Sequence, residues 1–335
     1  MGLNEDLVTL FRENEGEFLS GELLAEKIGV SRTTIWNHIR TLQRLGYEFA
    51  AQTHLGYRLT RTPDRMLPQE IASRLKTRFL GKSVHYYEEV ASTNDVALEL
   101  AAKGAEEGTV VVAEKQTSGR GRFGRKWFSP PGKNLILSLI LRPPFLPGRA
   151  SQVAITTSVA AAVCLRGLFD LPALIKWPND IYIRGRKAGG ILTELSAELD
   201  RIHHIVVGVG INLNMTRDEI PAHLRPNCTS VRIEAGKRCD RIQVAVTLIQ
   251  ELEKRYRGLL KDGFSHIVDE WIALSLSLGQ RIEARSEGRL YSGCPAGLDE
   301  DGSLLLRLDS GITRRISGGD IRILSGSEVA RASSP

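Results

Sequence analysis

Hydrophobic positions recur at helical spacing from the start of the chain. Leu3, Leu7, Leu10 and Phe11 share one face over residues 3–14, and Leu23, Leu24 and Ile28 do the same over 21–28. After Gly29 and Val30, Ser31 is placed to cap a third helix whose Ile35, Ile39, Leu42 and Leu45 form one apolar stripe, stopped by Gly46. The period then changes. The run YEFAAQTHLGYRLT alternates and turns around His54 to Gly56, which predicts a two-stranded hairpin. Three helices and a hairpin stand in winged helix-turn-helix order. Arg32, Thr33, Asn37, His38 and Arg40 lie off the apolar face of the third helix and are residue types that reach phosphates and base edges.

A Pro-punctuated segment, RTPDRMLPQE, reads as a linker, with Pro68 at the first turn of a new helix. From Ser83 the pattern alternates between strands (83–90, 108–114, 134–141, 173–176, 180–184, 188–197, 203–211) and helices (near 93–103, 148–169, 240–261 and 264–273). A turn at Arg184 to Arg186 implies antiparallel pairing, so an α+β domain with a mixed sheet is expected rather than a doubly wound one. After about residue 276 come short β-like runs punctuated by glycine, which suggest a small β-barrel. The expected units are 1–64, 65–275 and 276–335, the last ending in a flexible tail.

Composition adds little to this, but the distribution of charge adds more. The chain has 335 residues, 42% hydrophobic and 25% charged, with a net charge of only +6. Residues 1–26 carry seven acids against Arg12, whereas 27–65 carry seven bases against Glu48 and Asp64. The basic half is the third helix and hairpin, as DNA binding requires. A three-helix protein-interaction module with a solvated basic face is the alternative. Between Lys115 and Phe169 there is no acid, while Lys115, Arg120, Arg122, Arg125, Lys126, Lys133, Arg142, Arg149 and Arg166 fall there, a field suited to phosphate or carboxylate. The longest uncharged run, Ala150 to Leu165, is shorter than the roughly 20 apolar residues of a membrane span. The N-terminal residues lack a signal-peptide pattern, so a soluble, cytoplasmic protein with no membrane partner is expected. Cys164, Cys228, Cys239 and Cys294 show no paired spacing and are expected as reduced thiols.

The densest chemical signal is GRGRFGRKW, residues 119–127. Gly119, Gly121 and Gly124 permit positive φ and close backbone approach, and the arginines suit bidentate contact with anionic oxygens. The GxGxxG spelling is not a dinucleotide site, because RKWFSPPG rather than a helix follows it. Gly81-Lys82-Ser83 is not a P-loop either, since Lys76 stands where its first glycine belongs. A second cluster, KWPNDIYIRGRKAGGILTEL, brings Lys187 beside Gly189 and Gly190, whose missing side chains leave room for a ligand. GVGIN, Gly208 to Asn212, is a glycine-lightened strand end. Ser92-Thr93-Asn94 reads most simply as a helix N-cap. Neither GxSxG nor HExxH occurs.

Taken in order, the STN turn, QTSGRGRFGRKWFSPPG, KWPNDIYIRGRKAGGIL and GVGIN closely resemble the biotin protein ligases. With the winged helix, the whole chain resembles their bifunctional type, which also represses the biotin operon. The resemblance implies a central ligase domain, a C-terminal SH3-like β-barrel, and ATP-dependent joining of biotin, through biotinyl-5′-AMP, to a lysine of the biotin carboxyl carrier protein of acetyl-CoA carboxylase. It places Ser92, Thr93, Asn94 and Gln116 on biotin and makes Gly119, Arg120, Gly121 and Arg122 the adenylate loop. Lys187 would stabilise the transition state together with Arg122, Trp127 would cover the nucleotide, and Asn212 would contact adenine. Magnesium would accompany ATP, with Asn179 and Asp180 holding the turn or Asp180 reaching the metal. Arg322 follows a GG-[DE] turn without a matching register and is left without a role. A ligand-promoted homodimer would set two winged helices on palindromic operator DNA. Two other readings stay open: a DNA-binding biotin sensor without ligase activity, and a lipoate-type acyl ligase.

Overall fold

The computed structural model describes residues 2–324, and the tail expected at the end of the 276–335 unit lies outside the described residues. The chain opens with α1 (Leu3–Glu13), α2 (Gly21–Ile28) and α3 (Arg32–Arg44), followed by β1 (Glu48–Gln52) and β2 (Gly56–Arg61). The helical stripes meet in one cluster around Leu7, Phe11, Leu24, Ile35, Ile39 and Leu42. Ser20 and Ser31 cap α2 and α3, their hydroxyls accepting the N–H of Leu23 at 3.0 Å and of Thr34 at 3.1 Å. The wing is tied back to the helices, because Leu19 and Tyr57 exchange backbone hydrogen bonds at 2.8 and 2.9 Å. Gly56 permits this: a Cβ there would lie 2.1 Å from the Leu19 carbonyl oxygen.

The central domain runs through α4 (Pro68–Ala72), β3 (Val84–Val90), α5 (Thr93–Ala102), β4 (Val110–Gln116), β5 (Leu135–Leu141), α6 (Ala150–Phe169), β6 (Ala173–Lys176), β7 (Asp180–Ile183), β8 (Arg186–Ala197), β9 (Ile202–Ile211), α7 (Val231–Ala235), α8 (Arg241–Asp262) and α9 (Ser265–Leu274). Its strands form one seven-stranded sheet in the order β3-β4-β5-β9-β8-β7-β6, parallel between β3 and β4 and antiparallel elsewhere. The mixed α+β sheet expected from the sequence is therefore present. The two-residue period of the strands sorts its faces. Val110, Val112, Leu135, Leu137, Val207 and Val209 face a large core with α6, α8 and α9, while Val111, Ile140 and Val206 pack on Ala97 and Ala101 of α5. The uncharged helix α6 lies mostly buried in that large core. Among the described residues it is part of the one segment, Pro147–Phe169, long and apolar enough to cross a membrane by length and composition, and 72% of that segment's apolar window is buried.

The remaining strands, β10 (Ile282–Ser286), β11 (Arg289–Leu298), β12 (Leu304–Leu308), β13 (Thr313–Ile316) and β14 (Asp320–Ile323), make a five-stranded antiparallel sheet. It is a four-strand meander onto whose first strand the fifth returns.

Charged groups fasten the N-terminal module to the central domain. Glu70 on α4 is fully buried and is paired by Arg12 of α1 and, at 3.1 Å, by Arg74. The linker residue Asp64 meets Arg241 at 3.0 Å, and Arg241, itself buried, reaches Glu114 of β4 at 2.8 Å. Glu114 also accepts the Met66 N–H at 2.9 Å. The RTPDRMLPQE segment is thus bound down along part of its length rather than free.

Candidate functional site

The site is built where the sheet presents no side chains. In β9, Val207, Val209 and Ile211 point to the large core, so Gly208 and Gly210 face the other way. The bare patch accepts two side chains. A Cβ at Gly208 would lie 2.2 Å from Asn94 Oδ1, and one at Gly210 would lie 2.7 to 2.9 Å from three atoms of the Trp127 ring. Around this patch a cleft of about 230 Å³ is lined by Ser92, Thr93, Asn94, Gln116, Arg120, Gly121, Arg122, Trp127, Lys187 and Asn212, among others. Four sequence clusters far apart in the chain converge here. Gly210→Ala is expected to push the ring into the cleft and raise the KM for the ligand at least tenfold, checked by steady-state kinetics beside a Gly148→Ala control, whose Cβ meets nothing within 4 Å.

The STN turn opens α5 as expected, but without a side-chain cap. Ser92 stands at the N-cap of α5, but its hydroxyl makes no capping bond. The Thr93 N–H instead donates to Gln116 Oε1 at 2.8 Å, and its hydroxyl lies 3.1 Å from the same oxygen. Ser138 donates to Asn94 Oδ1 at 2.6 Å, and Asn94 donates to Glu194 at 2.6 Å. Ser92, Thr93 and Asn94 are nearly buried, so this polar wall is rigid and arranged before any ligand arrives.

The glycine-arginine loop turns back on itself, with the Gly121 N–H donating to Arg125 O at 2.7 Å and the Trp127 N–H to Gly119 O at 2.8 Å. Positive φ falls on Gly124 and, unexpectedly, on Phe123. Gly119 and Gly121 have ordinary φ. Gly119 is needed for room, since a Cβ would lie 2.8 Å from Gln116 Nε2 and from Trp127 O, and it supports the loop from outside the cleft lining. Arg120 is gripped by Asp95 at 2.7 Å and Glu194 at 3.2 Å, which raise its pKa, the Asp95 hydrogen bond most of all. Arg122 donates to Gly319 O at 3.0 Å and lies 3.4 Å from Asn179 Oδ1. Burial lowers the Arg122 pKa, while Asp320 and Asp180 work against that shift; a guanidinium stays charged regardless.

Lys187 lies on β8 with Nζ 2.6 Å from Asp180 and 5.9 Å from the Trp127 ring centroid. Its backbone is fixed from both sides, by Asn227 O at 2.8 Å and by the Thr229 N–H at 2.9 Å. Gly190 lies beside it, where a Cβ would stand in ordinary contact 3.5 Å from Lys187 Nζ; Gly189 packs against Gly210 O and is absent from the cleft lining. Asn179 holds the turn, its amide donating to Ile191 O and its carbonyl accepting the Ile191 N–H at 2.9 Å. Asn212 donates to Thr229 O at 3.0 Å. Asp180 is engaged by Lys187 at 2.6 Å, and among the described residues no group of three or more His, Cys, Asp or Glu is placed to hold a metal.

Three residues of this site escaped the sequence reading. Asp320, in the GGD turn before β14, pairs with Arg125 and lies 3.9 Å from Arg122, so the C-terminal sheet closes one side of the cleft. The GG-[DE] pattern was the available signal, but it drew attention to Arg322, which pairs with Glu283 at 2.9 Å. Glu194 lies near the end of the KWPNDIYIRGRKAGGILTEL cluster but has no role in that reading, and Ser138 belongs to no motif. On the DNA-binding module, Arg32, Thr33, Asn37 and Arg40 are exposed along α3, whereas His38 is half-buried with Nδ1 2.8 Å from Asn4 Oδ1 of α1.

A winged helix joined to a mixed-sheet domain with a cationic, prearranged cleft defines a DNA-binding protein that also handles a small anionic ligand. Residues 4–58 match the HTH domain family, 86–212 the biotin/lipoate A/B protein ligase family, and 277–324 the biotin protein ligase C terminal domain. The bifunctional ligase/repressor BirA of Bacillus subtilis is 39% identical over 96% of this chain and 98% of its own length. That of Escherichia coli is 34% identical over 92% and 94%. Among solved structures, a biotin protein ligase from Aquifex aeolicus in complex with biotin and ATP superposes with a TM-score of 0.64 at 28% identity, over 73% of this chain and 100% of that one. The chain belongs to the biotin protein ligase family, in its bifunctional ligase/repressor form.

Proposed function

We propose that the protein joins biotin to a lysine of a biotin carboxyl carrier protein in two steps and represses transcription when it holds the intermediate. The observation that carries this reading is the convergence of Gln116, Arg122, Trp127 and Lys187 on one cleft beside a winged helix. In the first step a biotin carboxylate oxygen attacks the α-phosphorus of ATP. The bond to the bridging oxygen breaks and pyrophosphate leaves, which yields biotinyl-5′-AMP. In the second, the carrier lysine amine attacks the acyl carbon, AMP departs with the bonding pair, and a proton passes to solvent. Neither step needs an enzyme nucleophile. The work is to align two anions and to stabilise charge developing on the phosphate.

The residues suit those tasks. Ser92, Thr93, Asn94 and Gln116 form the polar wall for the ureido ring. Gly121 and Arg122 line the cleft for the adenylate, while Arg120, bound by Asp95 and Glu194, anchors the loop. Lys187 bridges carboxylate and α-phosphate oxygens, Trp127 covers the nucleotide, and Asn212 reaches adenine. Magnesium would accompany ATP and offset the charge of its phosphates. The reading puts the protein in the cytoplasm, where ATP, carrier and operator meet. Arg122→Gly is expected to slow adenylation and let the intermediate escape, seen as free biotinyl-5′-AMP in the filtrate when no carrier is present; retention equal to the unsubstituted protein would defeat that role.

Arg32, Thr33, Asn37 and Arg40 supply the DNA-facing side of α3, with His38 contributing from its edge. Adenylate that orders the cleft loops and promotes a homodimer would place two such helices on a palindromic site. Biotin with MgATP is expected to tighten operator binding by about 5- to 150-fold. The matching observation is native intact mass, which should show bound biotinyl-adenylate and a monomer-to-dimer shift. Equal operator affinity with and without the two substrates would overturn the repressor half of the proposal.

A further inference from the structure

The helix α3 carries an exposed tryptophan that neither the sequence pattern nor the ligase site explains. Trp36 is 47% exposed, whereas Trp177 and Trp271 are buried in the central domain and Trp127 is engaged in the cleft. It takes no part in the helical core, which uses Ile35, Ile39 and Leu42. Residues 32, 33, 36, 37, 40 and 44 are all exposed and form one stripe, with Trp36 near its middle. One turn on, the Arg40 guanidinium carbon lies 5.1 Å from the Trp36 ring centroid. That stacking holds a cation beside an apolar surface within a row otherwise made of hydrogen-bonding residues.

We infer that Trp36 is a sequence-reading residue of the DNA-binding module, presenting its indole to the C5-methyl group of a thymine in the major groove while it positions Arg40 against the adjacent guanine edge or phosphate. The inference rests on the reading that α3 enters that groove. Two features support it. An exposed indole at the centre of a polar recognition stripe leaves apolar area in water, and the major groove offers thymine methyls as an apolar partner. The stacked arginine keeps that face cationic, which suits a phosphate-lined groove better than an apolar protein surface.

The test uses the full chain with biotin and MgATP and a pool of randomised duplexes selected on the unsubstituted protein. Each thymine of the selected duplex is then replaced by deoxyuracil, which removes the methyl group alone. One symmetry-related pair of positions should lose about fourfold in affinity per methyl, the worth of one buried carbon. Trp36→Ala should weaken binding to the all-thymine duplex by at least that factor and abolish the uracil effect at those positions only, and Trp36→Phe should restore part of both. Because Trp36 lies outside the core, unchanged thermal unfolding midpoints would show that the variants fold. If no duplex can be selected, the groove reading falls and the inference with it. If a duplex is selected but Trp36→Ala binds it like the unsubstituted protein, or every uracil effect persists in that variant, the groove reading stands and the inference alone is overturned.

Discussion

Lys187→Ala is expected to lower biotin-dependent ATP–pyrophosphate exchange by about 10²- to 10³-fold, the range seen when one preorganised donor to a developing anion is removed. The structure gives several reasons for so large an effect from one surface-strand lysine. Its backbone is fixed on both sides by Asn227 and Thr229. The Trp127 ring lies 5.9 Å from Nζ, so the charge acts in partly desolvated surroundings. Its removal would also take from Asp180 its partner at 2.6 Å, leaving a less compensated carboxylate where the proposed reaction brings two substrate anions together. The KM for ATP should therefore rise as well. Lys187→Arg should rescue poorly, because a planar fork does not replace a point charge in the gap between Asp180 and Gly190. An exchange rate within threefold of the unsubstituted protein in Lys187→Ala would remove this residue from the chemistry.

The largest effect on stability is expected at Arg241, which does not line the cleft. Arg241→Ala should destabilise the protein by about 3–5 kcal/mol, read from the urea midpoint of unfolding. Its side chain is only 1% exposed and is bonded to Asp64 and to Glu114, which is itself 8% exposed. Truncation would strand the Glu114 carboxylate with only the Met66 N–H at 2.9 Å to satisfy it. The cost is that of an uncompensated buried charge, so Arg241→Ala combined with Glu114→Gln should be milder than Arg241→Ala alone. A loss under about 1 kcal/mol for Arg241→Ala would mean that water already reaches the pair.

Local signals were the legible ones. The stripes Leu7–Phe11 and Ile35–Leu42, the cap Ser31 and the Gly46 stop act within a few residues, so most of the first module is legible, although the Ser20 cap of α2 was not read. The cleft was legible as four separate patches, and their likeness to a known family supplied the grouping. Spacing alone does not show that Gly208 receives Asn94 or that Gly210 receives Trp127; those contacts depend on which face of β9 points away from the core. Asp320 escaped because it meets its arginine across 195 residues and two domains. The N-cap reading of the STN turn holds in place, with Ser92 at the N-cap of α5, but spacing gave no sign that its hydroxyl makes no capping bond or that Gln116 takes the Thr93 N–H. The short α7 has little apolar periodicity to announce it.

The acid-free run around the loop was read from the sequence as a strong positive field, but the fold changes what it means. Carboxylates from elsewhere are brought to it: Asp95 and Glu194 to Arg120, Asp320 to Arg125, and Glu219 to Lys133 at 2.7 Å.

The clasped linker changes where this molecule can be divided. Asp64 and Met66 belong by sequence to the join, yet through Arg241 and Glu114 they are joined to β4, the strand that ends on Gln116 in the cleft. A knife placed just past residue 64 would leave the catalytic half with a buried guanidinium robbed of one counter-charge. The modules are separable in kind but share a seam, and an ancestor or an engineer exchanging one DNA reader for another inherits the obligation to carry that acidic stitch along.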